Sequence, residues 1–272
     1  MKSAASVVSG IAAGQWGLLT TAQADAAGVS RSSLARLCER GDLERLGQGV
    51  YLLAGAEDAL TTLRAAWLSL APPAPPEQRL ADLPDAAVVS HASAAAPHRL
   101  GDLPHDVAEF IVPKSRRTVR NGIRLHQARL AAADVTIAEG LPVTTIERTI
   151  ADLPRSRRHG GPAHAARMVG GALVEARPDV DRLGDFLQPL ASRYQQPDGE
   201  AFAAWLVDLS GNSPAALAER LNRTAAGRRV VDLALNNALT PDANAALHHL
   251  IASLADWIAT NPGIERDPEA AS

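Results

Sequence analysis

Two arginines five residues apart, Arg31 and Arg36, stand in the run GVSRSSLARLCERG (28–41), and Ser30, Ser32 and Ser33 surround the first of them. A guanidinium can donate paired hydrogen bonds to guanine O6 and N7, and a hydroxyl can bond a base edge or a phosphate oxygen. These residue types on the opening turns of one short helix suit contact with double-stranded DNA. Upstream, Thr20 opens another helical run, and the N–H groups and hydroxyls at such a start suit phosphate. Arg45 and Gln48 follow at the turn Gly47-Gln48-Gly49, in reach of a DNA backbone beside that helix.

A second cationic candidate lies in KSRRTVRNGIRLHQARL (114–130): Lys114, Arg116, Arg117, Arg120 and Arg124. Residues 113–133 hold six Lys and Arg and no Asp or Glu, although the whole chain carries a formal charge of −3. Bulk charge therefore predicts no polyanionic partner, whereas its distribution does. The stretch suits a phosphate backbone or an acidic face on a partner protein. The bland reading is a solvated loop that protects a sheet edge.

Other chemistry finds less support. His91 and His98 are seven residues apart and His248 and His249 adjacent, so neither pair puts two imidazoles on one helical face for a metal. No Gly-rich phosphate loop and no Gly-x-Ser-x-Gly occurs. Glu109, Asp134, Glu147 and Lys114 are the residue types of a nuclease site without its usual spacing, and a nuclease is the least favoured reading. No catalytic residue, metal or cofactor is expected, and the chain reads as a non-enzyme. The single cysteine, Cys38, excludes an internal disulfide and a cysteine zinc site and suits a reducing cytoplasm. Gly10, Gly14 and Gln15 interrupt the mild apolar run at the N-terminus, which argues against a signal peptide. No apolar stretch approaches the roughly 20 residues that cross a bilayer, so no membrane partner is expected.

These side chains need elements to hold them. Residues 4–14 form a helix with Val7, Val8 and Ile11 on one side. Thr20 caps a second helix, with Gln23 three residues on completing a capping box. Gly28 ends it, and Ser30 caps a third helix running to about Arg40. Ala24 permits close helix crossing, Gly28 tolerates a left-handed turn, and Val29, Leu34 and Leu37 aim the third helix inward. LERL (43–46) and VYLL (50–53) then form a hairpin, the wing. The whole is a winged helix-turn-helix, whose second helix enters the major groove by its N-terminal part.

Beyond it, TTLRAAWLSL (61–70) reads as a connecting helix and the proline-rich 71–85 as an extended spacer, which would leave the winged helix separable. A second unit starts near Ala86. Ser90 caps a short helix, VAEFIVP (107–113) and GIRLHQARL (122–130) are strands with the cations in a turn between them, and LPVTT (141–145) leads into a helix. Thr144 would cap that helix, with Glu147 completing a capping box. After the basic link RSRRHGGP (155–162) the pattern is helical. Pro214 follows Ser213 and Pro241 follows Thr240 at helix starts, and Leu247, Leu250, Ile251, Leu254 and Ile258 share one face. The expectation is an α+β fold: a winged helix-turn-helix (1–54), a connecting helix and linker (55–85), a small mixed α/β domain (86–154), a helical C-terminal region (155–264) and a disordered tail (265–272).

Three further segments, together with the winged helix, resemble one family. AVVSHASAAAPHRLGDLP (87–104) is similar to the Ser-His-x-Ser-Ala-Ala opening of the second domain of AbiEi-type antitoxins. GLPVTTIERTIADLP (140–154) is similar to their Leu-Pro-Val-Thr followed by Arg-Thr-x-x-Asp-Leu, and LGDFLQPLASRYQQPDGEAFAAWL (183–206) resembles the helical segment of actinobacterial members. The resemblance covers about residues 15–210. It implies a type IV toxin–antitoxin or abortive-infection system: an autorepressor that binds inverted repeats in operator DNA, with a second domain that functionally counteracts a cognate nucleotidyltransferase toxin, whether or not the two touch directly. The alternative is a stand-alone winged-helix regulator with a ligand- or protein-sensing domain.

Overall fold

The computed structural model describes residues 3–100, 107–114, 122–155, 162–175, 178–225 and 227–229. The chain divides into two compact units, Met1–Met168 and Val169–Ser272.

The first unit opens with α1 (Ala4–Ala13), β1 (Leu18–Thr20), α2 (Thr21–Ala26), α3 (Arg31–Glu39), β2 (Leu43–Gly47) and β3 (Val50–Leu53). The capping box at α2 forms as expected: Thr20 Oγ1 accepts from Gln23 N–H at 3.1 Å, and Gln23 Oε1 accepts from Thr20 N–H at 2.9 Å. Gly28 takes φ +80°, a turn any Cβ would strain, and Ser30 caps α3. Val8, Ala12, Leu19, Ala24, Val29, Leu34, Leu37 and Leu43 form the module's own core. The strands lie in the order β1-β3-β2, all antiparallel, with a register shift between Arg45 and Gly47 in the wing. β1 is the element the sequence does not reveal, since three residues are too few to show alternation.

The stretch expected to be an extended spacer is packed. α4 (Thr61–Ser69) leads into it, and α5 (Pro76–Ala81) lies within it. Pro76 takes the first helical position, where its missing N–H costs nothing, and it is buried with Arg79. The Arg79 guanidinium lies 3.4 Å from the Trp67 ring centroid and donates to the Trp67 carbonyl at 2.7 Å. A proline-rich composition excludes a long helix but not folding back onto an aromatic ring.

A five-stranded mixed sheet follows, built from β4 (Val88–Val89), β5 (Ala108–Val112), β6 (Ile123–Gln127), β7 (Val135–Ala138) and β8 (Leu141–Thr144), in the order β6-β5-β4-β8-β7. β5 and β6 pair in parallel, with Glu109 opposite Arg124 and Ile111 opposite His126. They are therefore not two arms of a hairpin, as the turn reading of the cationic stretch required. α6 (Ile146–Asp152) follows β8, and its cap is Thr145, which accepts from Arg148 N–H. Thr144 stays in β8 and bonds Thr149 Oγ1 at 2.6 Å, so the expected capping box with Glu147 does not form. Val89, Phe110, Val112, Leu141 and Val143 bury one face of the sheet in a core that also contains Leu63, Trp67 and Leu68 of α4 and Leu18, Val50 and Leu52 of the winged helix.

The boundary between the two units falls inside α7 (Pro162–Glu175). The second unit continues with α8 (Val180–Leu187), α9 (Gly199–Leu209) and α10 (Pro214–Asn222). Asp198 caps α9 through Ala201 N–H at 2.8 Å, and Ser213 caps α10 ahead of Pro214. α8 and α9 approach backbone to backbone, since a Cβ on Gly199 would fall 2.0 Å from the Gly184 carbonyl oxygen. The helix start at Pro241, the apolar face from Leu247 to Ile258 and the tail 265–272 lie outside the described residues. Among the described residues no helix is long and apolar enough to cross a membrane.

Candidate nucleic-acid interface

α3 stands on the winged helix with its apolar side sealed and its polar side in solvent. Leu34 and Leu37 are buried, whereas Ser30, Arg31, Ser32, Ala35 and Arg36 are exposed and Ser33 is half-buried. The three serines form a local network. Ser30 Oγ accepts from Ser33 N–H at 3.2 Å and lies 2.9 Å from Ser32 Oγ and 3.0 Å from Ser33 Oγ. Arg36 Nη2 donates to Ser33 Oγ at 3.2 Å. That bond turns the Arg36 guanidinium toward the N-terminal end of α3, the end such motifs place against bases.

Among the described residues Arg31, Arg36 and Arg45 form no ion pair, while Arg40, further along the same strand-helix corner, is paired to Asp42 at 2.5 Å. The pairing separates one arginine spent on a local acid from three left open to a ligand. Arg45 is exposed on β2 with Nε 3.3 Å from the Gly47 carbonyl, and Gln48 is exposed at the tip of the wing. The exposed hydroxyls and guanidiniums of α3 and the exposed Arg45 and Gln48 of the wing carry donors that fit phosphate and base-edge acceptors.

Thr20 leaves this set. It is fully buried, its hydroxyl accepts from Gln23 N–H and donates to the Pro72 carbonyl at 2.5 Å, and no phosphate can reach it. The residue type and helix-start position were right for phosphate, but the packed 71–85 segment covers it.

The cationic stretch is only partly within the described residues. Lys114 is exposed just past β5, whereas Arg116, Arg117 and Arg120 lie outside them. Arg124 does not stand free of acids: its Nη1 lies 3.1 Å from Oε1 of Glu109, which is fully buried on the neighbouring strand. Fifteen residues separate that pair in the sequence, and only parallel pairing of β5 with β6 brings them together.

The same carboxylate organises a polar cluster that sequence reasoning did not assemble. His126 Nε2 lies 3.3 Å from Glu109 Oε1, and Ala92 N–H reaches Oε2 at 3.3 Å. The His91 ring stacks on His126 with centroids 3.8 Å apart, and its Nδ1 lies 3.0 Å from Ser90 Oγ. Burial pushes the His91 imidazole down to about 4, against the attraction of Asp152 and Glu109. Burial likewise lowers His98, whose Nε2 lies 2.7 Å from the Thr144 carbonyl. Among the described residues no set of three or more His, Cys, Asp or Glu could hold a metal ion.

Comparison with known proteins locates the winged helix in a family. Residues 11–54 match the model of a family described as transcriptional regulator, AbiEi antitoxin. No curated protein matches the chain. Among solved structures, the crystal structure of the RV2827C protein from Mycobacterium tuberculosis is similar at 22% identity over 79% of this chain and 80% of that one, with a TM-score of 0.46. The matched residues 11–54 span β1, the capped α2–α3 pair and the β2–β3 wing, so the likeness to AbiEi antitoxin transcriptional regulators falls on the winged helix-turn-helix.

Proposed function

We propose that the chain represses its own operon by binding inverted repeats in operator DNA through α3 and the β2–β3 wing, and that its sheet domain counteracts a nucleotidyltransferase toxin. The observation that carries the DNA reading is the exposed Ser30–Arg36 face, free of carboxylates, on a module matching regulators of this family. Arg31 and Arg36 contact base edges, Ser30, Ser32 and Ser33 contact phosphate or bases, and Arg45 and Gln48 hold the backbone beside the groove. Lys114, Arg116, Arg117 and Arg120 supply sequence-independent phosphate or toxin contact. A module with a net charge near +1 needs such help, because duplex affinity rests largely on phosphate neutralisation.

The test is binding to the chain's own promoter fragment and to random DNA of equal length. Arg31→Ala and Arg36→Ala should each cost about 1–3 kcal/mol on the promoter and less on random DNA. Equal losses on both would move these residues from base to phosphate contact. Co-expression with the neighbouring toxin gene, scored for growth rescue and co-purification, tests the antitoxin half. A promoter-binding chain that neither rescues nor co-purifies would instead be a stand-alone regulator.

A further inference from the structure

We infer that the sheet domain positions the DNA-reading helix through a lock made by Trp16, Arg64 and the Glu139–Gly140 turn, so that operator affinity and the state of that turn are coupled. This rests on the DNA reading above.

The geometry starts at β1. Its neighbouring residues face different cores: Leu19 packs with Leu34 and Leu37 of α3, while Leu18 packs with Trp67, Phe110, Leu141 and Val143 of the shared core. A shift of the sheet domain against β1 is therefore passed directly to the packing of α3. Immediately before β1, Trp16 takes a left-handed φ of +58° and sets its ring edge-on to Trp67, centroids 6.2 Å apart. A bulky residue in that backbone region is held there by its surroundings.

Those surroundings come from the other side. Gly140, in the β7–β8 turn, lies under the Trp16 ring so closely that a Cβ would stand 3.0 Å from Cζ2 and Nε1. Arg64 lies over the same ring, 5.0 Å from its centroid, and its Nη2 donates to the Glu139 carbonyl at 2.9 Å. Its Nη1 is paired with Asp58, and its Nε is buried with no hydrogen-bond partner among the described residues. Full hydrogen bonding would place this arginine otherwise, so its position is set by the ring face and the turn. Glu139 also holds φ +52° and pairs with Arg99 at 2.7 Å. A strained turn, a strained tryptophan and a buried cation with one donor unused meet at a single junction between the reading module and the sheet. By linkage, whatever moves the turn changes operator affinity, and operator binding changes the turn by the same factor.

The full-length chain tests this with substitutions far from the DNA face. Gly140→Ala drives a methyl into the Trp16 ring. It should alter tryptophan fluorescence and weaken binding to the promoter fragment about tenfold, with binding to random DNA unchanged. Trp16→Phe removes the part of the ring that the methyl meets, so the double variant should bind about as well as Trp16→Phe alone. Gly122→Ala is the control, because Gly122 has φ +82° in the same domain but nothing within 4 Å of its would-be Cβ. The inference is overturned if Gly140→Ala perturbs the fluorescence yet leaves promoter affinity intact. It is equally overturned if Gly122→Ala weakens binding as much, or if Trp16→Phe gives no recovery. A wild-type chain that binds no promoter fragment would instead sink the DNA reading itself, and that failure shows before any variant is compared.

Discussion

His91 shows how far one residue's role depends on neighbours the sequence does not name. Its histidine-serine pairing is adjacent in the chain, but the His126 ring that stacks on it and the Glu109 carboxylate below arrive from two other strands. The exposed face and the Ser30 cap of α3 were legible because helix period and capping act locally. Thr20 was misread because it is buried and its hydroxyl is taken up by the carbonyl of Pro72, fifty-two residues away. The depressed His91 imidazole makes a stability prediction. In the unfolded chain it titrates near 6.5, while in the fold burial holds it at about 4. The native state thus declines a proton that the unfolded state takes up, so stability is full above about pH 6.5 and falls as pH drops toward 4. The whole interval corresponds to about 3 kcal/mol, of which about 2 kcal/mol is lost by pH 5. His98 acts in the same direction. Denaturant melts at pH 7 and pH 5 should show this loss in the wild type and a smaller one in His91→Asn, which keeps a side chain tolerant of the left-handed φ of +53°. An unchanged pH dependence in the variant would place the sensitivity elsewhere.

At the scale of elements, the helices and the wing followed from caps, glycines and apolar period, whereas pairing direction did not. β5 reads AEFIV and β6 IRLHQ, and nothing in either run says that they lie parallel. Because they do, Arg124 serves the inside of the sheet. Its guanidinium pairs with the carboxylate of Glu109, which is fully buried and also lies against His126 and the Ala92 N–H. Arg124→Ala should destabilise the fold by about 2 kcal/mol, less than the roughly 3–5 kcal/mol for breaking a fully buried pair because the arginine is itself partly solvated. It should leave the salt dependence of DNA binding unchanged. Replacing Arg116, Arg117 and Arg120 by Ala should do the reverse: no loss of stability, and a salt slope flatter by about 2–3 on logarithmic axes, since each phosphate contact contributes roughly 0.9. Thermal melts and promoter titrations across a salt series separate the two. If the triple variant keeps the full slope, the stretch does not touch DNA, and an acidic face on the toxin becomes the better ligand, which a pull-down with the same variant would check.

Over the first unit as a whole, a proline-rich stretch between two predicted modules invites the picture of independent domains on a flexible tether. The packing argues otherwise through the residues on the winged helix's inner side. Leu18, Val50 and Leu52 are all nearly or fully buried, and they share one core with α4 and the sheet. The 71–85 segment adds the Pro72 carbonyl to the N-cap of α2 and Arg79 to the ring of Trp67. Such coverage leaves no trace in local sequence, since an apolar strand residue reads the same whether its partner is eight residues away or a hundred. Its energetic consequence is nonetheless definite. Returning three large aliphatic side chains to water costs about 1.5–3 kcal/mol each, or roughly 4.5–9 kcal/mol together, which is comparable to the entire stability of many small domains. A fragment of residues 1–54 should therefore lack a cooperative thermal transition by circular dichroism at 25 °C and bind the promoter no better than random DNA. The full chain should melt cooperatively and discriminate between them. Extending the fragment to residue 70 restores α4 but not the sheet face that α4 packs against, so recovery should be incomplete. A 1–54 fragment that folds and reads the promoter with full affinity would mean that the shared core supports the sheet domain alone, and that the two activities can be parted by cutting the chain.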